Sequence, residues 1–175
     1  MQYRRTVISG TSYFFTLVLQ DRRSDLLIRR INELRQAFKQ VIARYPFIID
    51  GVVVMPDHLH MIMTLPPDDA NYSQRLGFIK GVFSRQIESL EHINASRKSK
   101  RERGIWQRRF WEHVIRDELD YSRHMDYIHY NPVKHGSVKS PSEWEYSSIH
   151  RYIRLEILPH NWACNSEFTD QTFGE

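Results

Sequence analysis

The spacing of apolar side chains divides the chain into alternating strand-like and helix-like segments. Tyr13 to Leu19 (YFFTLVL) is a dense aromatic and β-branched run that follows Gly10-Thr11-Ser12, which predicts a buried strand entered from a turn. From Ser24, suited to an N-cap, apolar residues recur at Leu27, Ile31, Leu34, Phe38, Val41 and Tyr45 in steps of four and three. That period predicts one long amphipathic helix, stopped before Pro46. Phe47 to Met55 (FIIDGVVVM) and His58 to Leu65 (HLHMIMTL) predict two more strands, and the short Pro56-Asp57 turn between them makes them antiparallel. A second helix carries Leu76, Ile79, Phe83, Ile87 and Leu90 on one side, with Arg75, Lys80 and Arg85 among its polar positions, so its outer face could touch phosphates. Phe110 to Arg116 (FWEHVIR) predicts a fourth strand, and Glu118 to Tyr130 a third helix ended by Asn131-Pro132.

The order is strand, helix, strand, strand, helix, strand, then an added helix. This is an α+β chain with a ferredoxin-like βαββαβ antiparallel sheet and an extra C-terminal helix. Such a sheet buries one face under two helices. Its other face is free for a site unless the third helix or the tail covers it.

Composition narrows the partners more than the fold. At 175 residues with 41% hydrophobic content, the chain can bury one substantial core and is too short to split comfortably into two domains. We expect one domain over residues 1–136 and a tail over 137–175 without a long element. Net charge is +4 and the isoelectric point about 9.3, which permits a polyanionic partner. Residues 91–105 lose apolar periodicity and hold Arg97, Lys98, Lys100, Arg101 and Arg103, predicting an exposed basic loop or simply a solvated charge run. A single cysteine, Cys164, excludes an internal disulfide framework and any multi-thiolate zinc site, and no apolar run is long enough to cross a bilayer. A soluble, cytoplasmic protein is the expectation.

Two constellations carry chemistry. Side chains alternate on a strand, so His58 and His60 project from one face while Leu59, Met61, Met63 and Leu65 project toward the helices. The histidines then sit on the open face as a two-imidazole metal clamp. On the third helix, Tyr127 and Asn131 are four residues apart and share a stripe that Arg123 extends. Laid against the histidine face, that helix brings the phenol beside a metal and the Asn131 amide oxygen into its coordination shell. Two imidazoles and a neutral oxygen leave positions suited to Mg²⁺ or Mn²⁺ with a substrate phosphate. The plain alternatives are packed aromatics and, for Asn131-Pro132, a helix terminator.

Val53 to Leu65 (VVMPDHLHMIMTL) and Met125 to Gly136 (MDYIHYNPVKHG) resemble the two signature segments of REP-associated tyrosine transposases, relatives of the single-tyrosine HUH transposases. Similarity extends to Tyr3-Arg4-Arg5, Tyr13-Phe14-Phe15-Thr16, Trp106 to Arg116 (WQRRFWEHVIR) and Trp144 to Ser148 (WEYSS), nearly the whole chain. The stretch from Glu91 to Arg103 departs from the pattern, being longer and more basic.

The resemblance implies metal ligands at His58, His60 and Asn131 and a nucleophile at Tyr127. It implies a metal-dependent single-stranded DNA endonuclease and strand transferase acting at REP palindromic hairpins through a 5′-phosphotyrosine. A nucleoid-associated monomer working in cis follows from it, with the tail packed on or near the active site. Arg4, Arg5, Arg108, Arg109 and Lys134 are candidate phosphate contacts, each of which could be ordinary surface charge. A metal-bound water, Lys134 and His135 stay open as candidates for removing the tyrosine proton. The rival from another class is a non-catalytic palindrome-binding protein. An RNA-recognition module would need a Lys/Arg-Gly-aromatic segment that this chain lacks. A plain metallohydrolase would leave the Tyr127–Asn131 spacing without a role.

Overall fold

A computed structural model describes residues 8–88, 99 and 103–164. The strands are β1 (Ser12–Val18), β2 (Ile48–Val54), β3 (His58–Thr64) and β4 (Trp111–Val114), in sheet order β2-β3-β1-β4 with every pair antiparallel. The expected ferredoxin-like α+β order is therefore present. Helices α1 (Leu26–Arg29), α2 (Ile31–Arg44) and α3 (Tyr72–Arg85) lie on one face. Helix α4 (Glu118–Lys134) lies on the other, followed by a short 3₁₀ turn (Pro141–Glu143) and α5 (Ile149–Arg154).

The main core joins β1 and β3 to α1–α3 through Tyr13, Phe15 and Leu17 together with Leu59, Met61, Met63 and Leu65, the four side chains that alternation on β3 assigned to this face. A second, smaller core of Phe14, Val53, Met55, Ile62, Met125, Tyr127 and Ile128 seals the opposite face under α4. Central strand β1 is thus buried on both sides, which is why it is apolar on both faces, apart from Thr16, and not alternating. At Gly51, beside the bulge in β2, an added Cβ would meet the sulfur of Met125 at 2.5 Å, so the missing side chain lets α4 come close.

Three sequence expectations need correction. The first helix is two helices broken at Arg30 (φ −118°, ψ 37°), because the Leu27 amide donates to the Pro56 carbonyl (3.1 Å) and ties the first turn to the β2–β3 turn. The third helix does not end at Asn131-Pro132 but runs to Lys134. Pro132 sacrifices one amide donor near the end, and His135 N–H to Asn131 O (3.0 Å) closes the last turn. Arg75 does not face outward: it is buried and donates to the Asp69 carboxylate (2.7 Å) and to the carbonyls of Pro46 and Asn71.

Residues 144–152 run along the free edge of β2. Val54 N–H donates to Tyr146 O (2.9 Å), Ser148 N–H to Val52 O (2.8 Å), and the Trp144 indole to Val54 O (2.9 Å). These bonds cover an edge that would otherwise expose unpaired amides. They give the Trp144 to Ser148 segment a structural role at the sheet edge. The Ser148 hydroxyl accepts from Val52 N–H (2.9 Å) and is bonded to Nε2 of His129 on α4 (3.0 Å), linking tail, sheet and helix.

Burial pushes His129 down to about 4. The unfolded chain then takes up a proton near pH 6.5 that the folded chain refuses, so the stability contributed by neutral His129 is lost as pH falls. We expect His129→Gln to flatten the decline between pH 6.5 and 4, by about 1 kcal/mol per pH unit, in urea titrations read by circular dichroism. Parallel pH profiles for the two proteins would rule this out.

Candidate active site

Strand β3 carries His58 and His60 on the α4 side, with ring centroids 4.9 Å apart. Helix α4 brings the Tyr127 ring to 5.1 Å from the His60 ring. Phe14 lies between the layers, 5.5 Å from His60 and 6.0 Å from Tyr127. His58, His60 and Tyr127 thus meet, and Asn131 is fully buried one turn beyond Tyr127 on α4. Arg123 does not join them. It is exposed, and the stripe continues instead through buried His124.

The expectation of an open histidine face also needs correction. Helix α4 covers it, leaving His58 2% exposed and Tyr127 7%. The second core, with Phe14, Ile62 and Ile128 on the same face, requires that cover, because an uncovered sheet face would expose those side chains to water. At the rim, the Lys134 ammonium lies 4.9 Å above the Tyr127 ring, and the exposed His135 ring is 5.2 Å from His58. Lys134 therefore stacks on the nucleophile candidate itself. Arg108 and Arg109 are exposed; Arg108 borders a cleft of about 360 Å³ with Lys80 and Gly81 of α3, on the opposite layer from Tyr127. Arg4, Arg5 and most of the basic loop, residues 91–98 and 100–102, lie outside the described residues. Arg103, at the loop's end, donates to the carbonyls of Ser84, Ile87 and Glu88 and so caps the end of α3.

Two residues that spacing alone did not single out hold the imidazoles. His58 Nδ1–H donates to the Asp57 carboxylate (2.8 Å), which also receives Nε of Arg22 (2.6 Å). An ionised carboxylate can only accept, so Nδ1 carries the hydrogen and the Nε2 lone pair of His58 is available; that buried atom makes no hydrogen bond among the described residues. The Thr16 hydroxyl is bonded to His60 Nδ1 at 2.8 Å, across a register that pairs Thr16 directly with His60. Burial lowers the His58 pKa, against the Asp57 carboxylate that raises it, so the ring is neutral at pH 7. A neutral imidazole with a second-sphere carboxylate on its other nitrogen is the form in which histidine ligates metals. The donor set fits a divalent ion.

The signal for Asp57 lay in the sequence, one residue before the first histidine. For Thr16 it lay in alternation, which places it beside Phe14 on the histidine face. We expect Asp57→Asn to weaken Mn²⁺ binding by roughly 10–100-fold in calorimetric titration while DNA-hairpin affinity stays within a few fold. Unchanged Mn²⁺ affinity would remove Asp57 from the ligand-orienting role.

Comparison with known proteins bears on this geometry. Residues 7–131 match the family described as "Transposase IS200 like". The chain is 48% identical over 166 residues to a Haemophilus influenzae protein provisionally named a REP-associated tyrosine transposase, covering 94% of each. It is 41% identical over 174 residues to the REP-associated tyrosine transposase of Escherichia coli K12, covering 99% of this chain and 96% of that one. A solved structure of a REP-associated tyrosine transposase bound to a REP hairpin superposes with a TM-score of 0.85 at 41% identity, covering all of this chain and 97% of that one.

Proposed function

The chain belongs to the REP-associated tyrosine transposases of the IS200-like transposase family, and on that premise we propose that it cuts and rejoins single-stranded DNA at REP-type hairpins, with Tyr127 as nucleophile. One observation carries the proposal: the Tyr127 ring lies 5.1 Å from an imidazole of the His58–His60 pair. Helix and strand contribute these groups from sequence positions 67 residues apart, and only the fold makes them neighbours.

The Tyr127 phenol oxygen attacks the scissile phosphorus, forming a phosphotyrosine on the 5′ side and releasing a 3′-hydroxyl, while the phenol proton passes to the departing oxygen or to solvent. No phosphodiester energy is lost to water, so a 3′-hydroxyl can reverse the exchange. His58, His60 and Asn131 would hold Mg²⁺ or Mn²⁺, which when bound polarises the phosphate and stabilises charge developing on its oxygens. Asp57 and Thr16 hold the two imidazoles in place before substrate arrives. Lys134, seated on the phenol ring, contributes positive charge where the phosphate must approach, and Arg4, Arg5, Arg108 and Arg109 remain the proposed contacts to more distant phosphates. Because tyrosine and histidines come from one chain, a monomer is sufficient to build the site.

The test is to incubate the protein with Mg²⁺ or Mn²⁺ and a single-stranded REP-type hairpin, then resolve the products under denaturing conditions. A protein–DNA adduct that survives denaturation and is sensitive to protease is the expected result. Hairpin binding without cleavage would support the rival reading, a palindrome-binding protein; cleavage that leaves no protein on the DNA would support a hydrolase.

A further inference from the structure

A row of rings continues across the sheet away from Tyr127. Phe14 contacts His124 of α4 (4.8 Å), His124 stacks on His113 of β4 (4.6 Å, 20°), and His113 stacks on Trp111 (5.8 Å, 4°). Between the two imidazoles sits the carboxylate of Asp120, in the first turn of α4. His113 Nε2 is 2.8 Å from Asp120 Oδ2, and His124 Nδ1 is 3.1 Å from Asp120 Oδ1. One ligand atom from each of the three residues lies within 4.8 Å of the others. Nothing in the phosphotyrosine chemistry uses these three groups.

We propose that His113, Asp120 and His124 form a second divalent-cation site, separate from the one at His58 and His60, that fastens the start of the Tyr127-bearing helix to strand β4. Donors around a tetrahedral ion with bonds near 2.0–2.1 Å stand about 3.3 Å apart, so the cluster closes on an ion with small side-chain adjustments. Two nitrogens and one carboxylate oxygen favour Zn²⁺, Co²⁺ or Ni²⁺ over Mg²⁺ and Ca²⁺. The His113 and Asp120 side chains are about one-fifth exposed, which gives the ion an approach and leaves room for water as the fourth ligand.

The frame around the cluster is already set. Asp120 is held by Arg116 N–H to its Oδ2 (3.0 Å) and by its own amide to the Asp117 N-cap (2.8 Å), and His124 is packed between two rings. His124 Nδ1 now also meets the Asp120 backbone carbonyl (2.7 Å); on binding, each imidazole takes the tautomer with its one hydrogen on the nitrogen facing away from Asp120, which frees the His113 Nε2 and His124 Nδ1 lone pairs for the ion. Phe14 separates this cluster from His60, so the two sites can be emptied independently.

Titration with Co²⁺, followed by visible absorption and by equilibrium dialysis, tests the site without recourse to DNA cleavage. The unaltered chain should bind two equivalents and His113→Asn one. In a His58→Ala/His60→Ala background the count should be one, falling to zero when His113→Asn is added. Asp120→Asn should behave as His113→Asn does, and Zn²⁺ should raise the melting temperature of the His58→Ala/His60→Ala protein but not that of the triple variant. A Co²⁺ count that His113→Asn leaves unchanged in a folded protein, in either background, overturns the proposal. That result would leave the assignment of Tyr127 untouched, since adduct formation is read separately.

Discussion

Tyr127→Phe should reduce covalent adduct formation on hairpin DNA by on the order of 10⁴-fold or more, the scale expected when the attacking atom itself is removed. Phe retains the ring that packs on Phe14 and His60 and lies under Lys134, so the fold and hairpin affinity should change little. The measurement pairs denaturing gels for adduct with a fluorescence-anisotropy titration for binding. A folded Tyr127→Phe protein that still forms adduct would transfer the nucleophile to another tyrosine, and Tyr130, three positions on, would be the first to replace. Loss of binding together with adduct would instead mean that the phenol holds DNA and does not attack it.

His60→Ala carries the second large effect, through a different cause. His60 is fully buried, bonded to Thr16 and ringed by Phe14, His58 and Tyr127. Truncation removes one of the two imidazoles proposed to hold the metal, and adduct formation in Mg²⁺ or Mn²⁺ should fall on the order of 10³-fold. It also leaves a cavity and a buried hydroxyl at Thr16 without its ring partner, at a cost of roughly 2–4 kcal/mol in urea denaturation. The two consequences separate in the Thr16→Val/His60→Ala protein, which also removes the hydroxyl that bonded the ring: stability should recover in part, whereas Mn²⁺ binding and adduct should not. Adduct yields near those of the unaltered chain in a folded His60→Ala protein would dismiss the metal clamp.

Much of this site is written in local patterns. Period-two alternation in HLHMIMTL assigns His58 and His60 to one face and Leu59, Met61 and Met63 to the other, and the structure has that division. The four-residue step from Tyr127 to Asn131 puts both on one stripe of α4 whatever that helix packs against. Strand and helix order, with the short Pro56-Asp57 turn, leads to the antiparallel sheet. The motif segments led to the family, which comparison over nearly the whole chain bears out.

Other features were beyond the reach of such patterns. Apolar period does not register a break such as that at Arg30, because the cause is a hydrogen bond to Pro56, distant in sequence. Nor does Asn131-Pro132 reveal that the helix continues, since a proline near a helix end costs only one bond and packing of Ile128 and Tyr127 outweighs it. Arg75 looked like surface charge because its partners, Asp69 and the Pro46 carbonyl, come from other segments.

By itself, then, the sequence determined which side chains share a strand face or a helix stripe, since those relations follow from backbone geometry repeated every two or 3.6 residues. Tertiary structure alone decided that α4 closes over the histidine face, that Tyr127 meets His60, that Asp57 and Arg22 steady His58, and that residues 144–152 cover β2. Those are contacts between segments far apart in the chain, selected by burial of the second core, and no local period encodes which surfaces will meet.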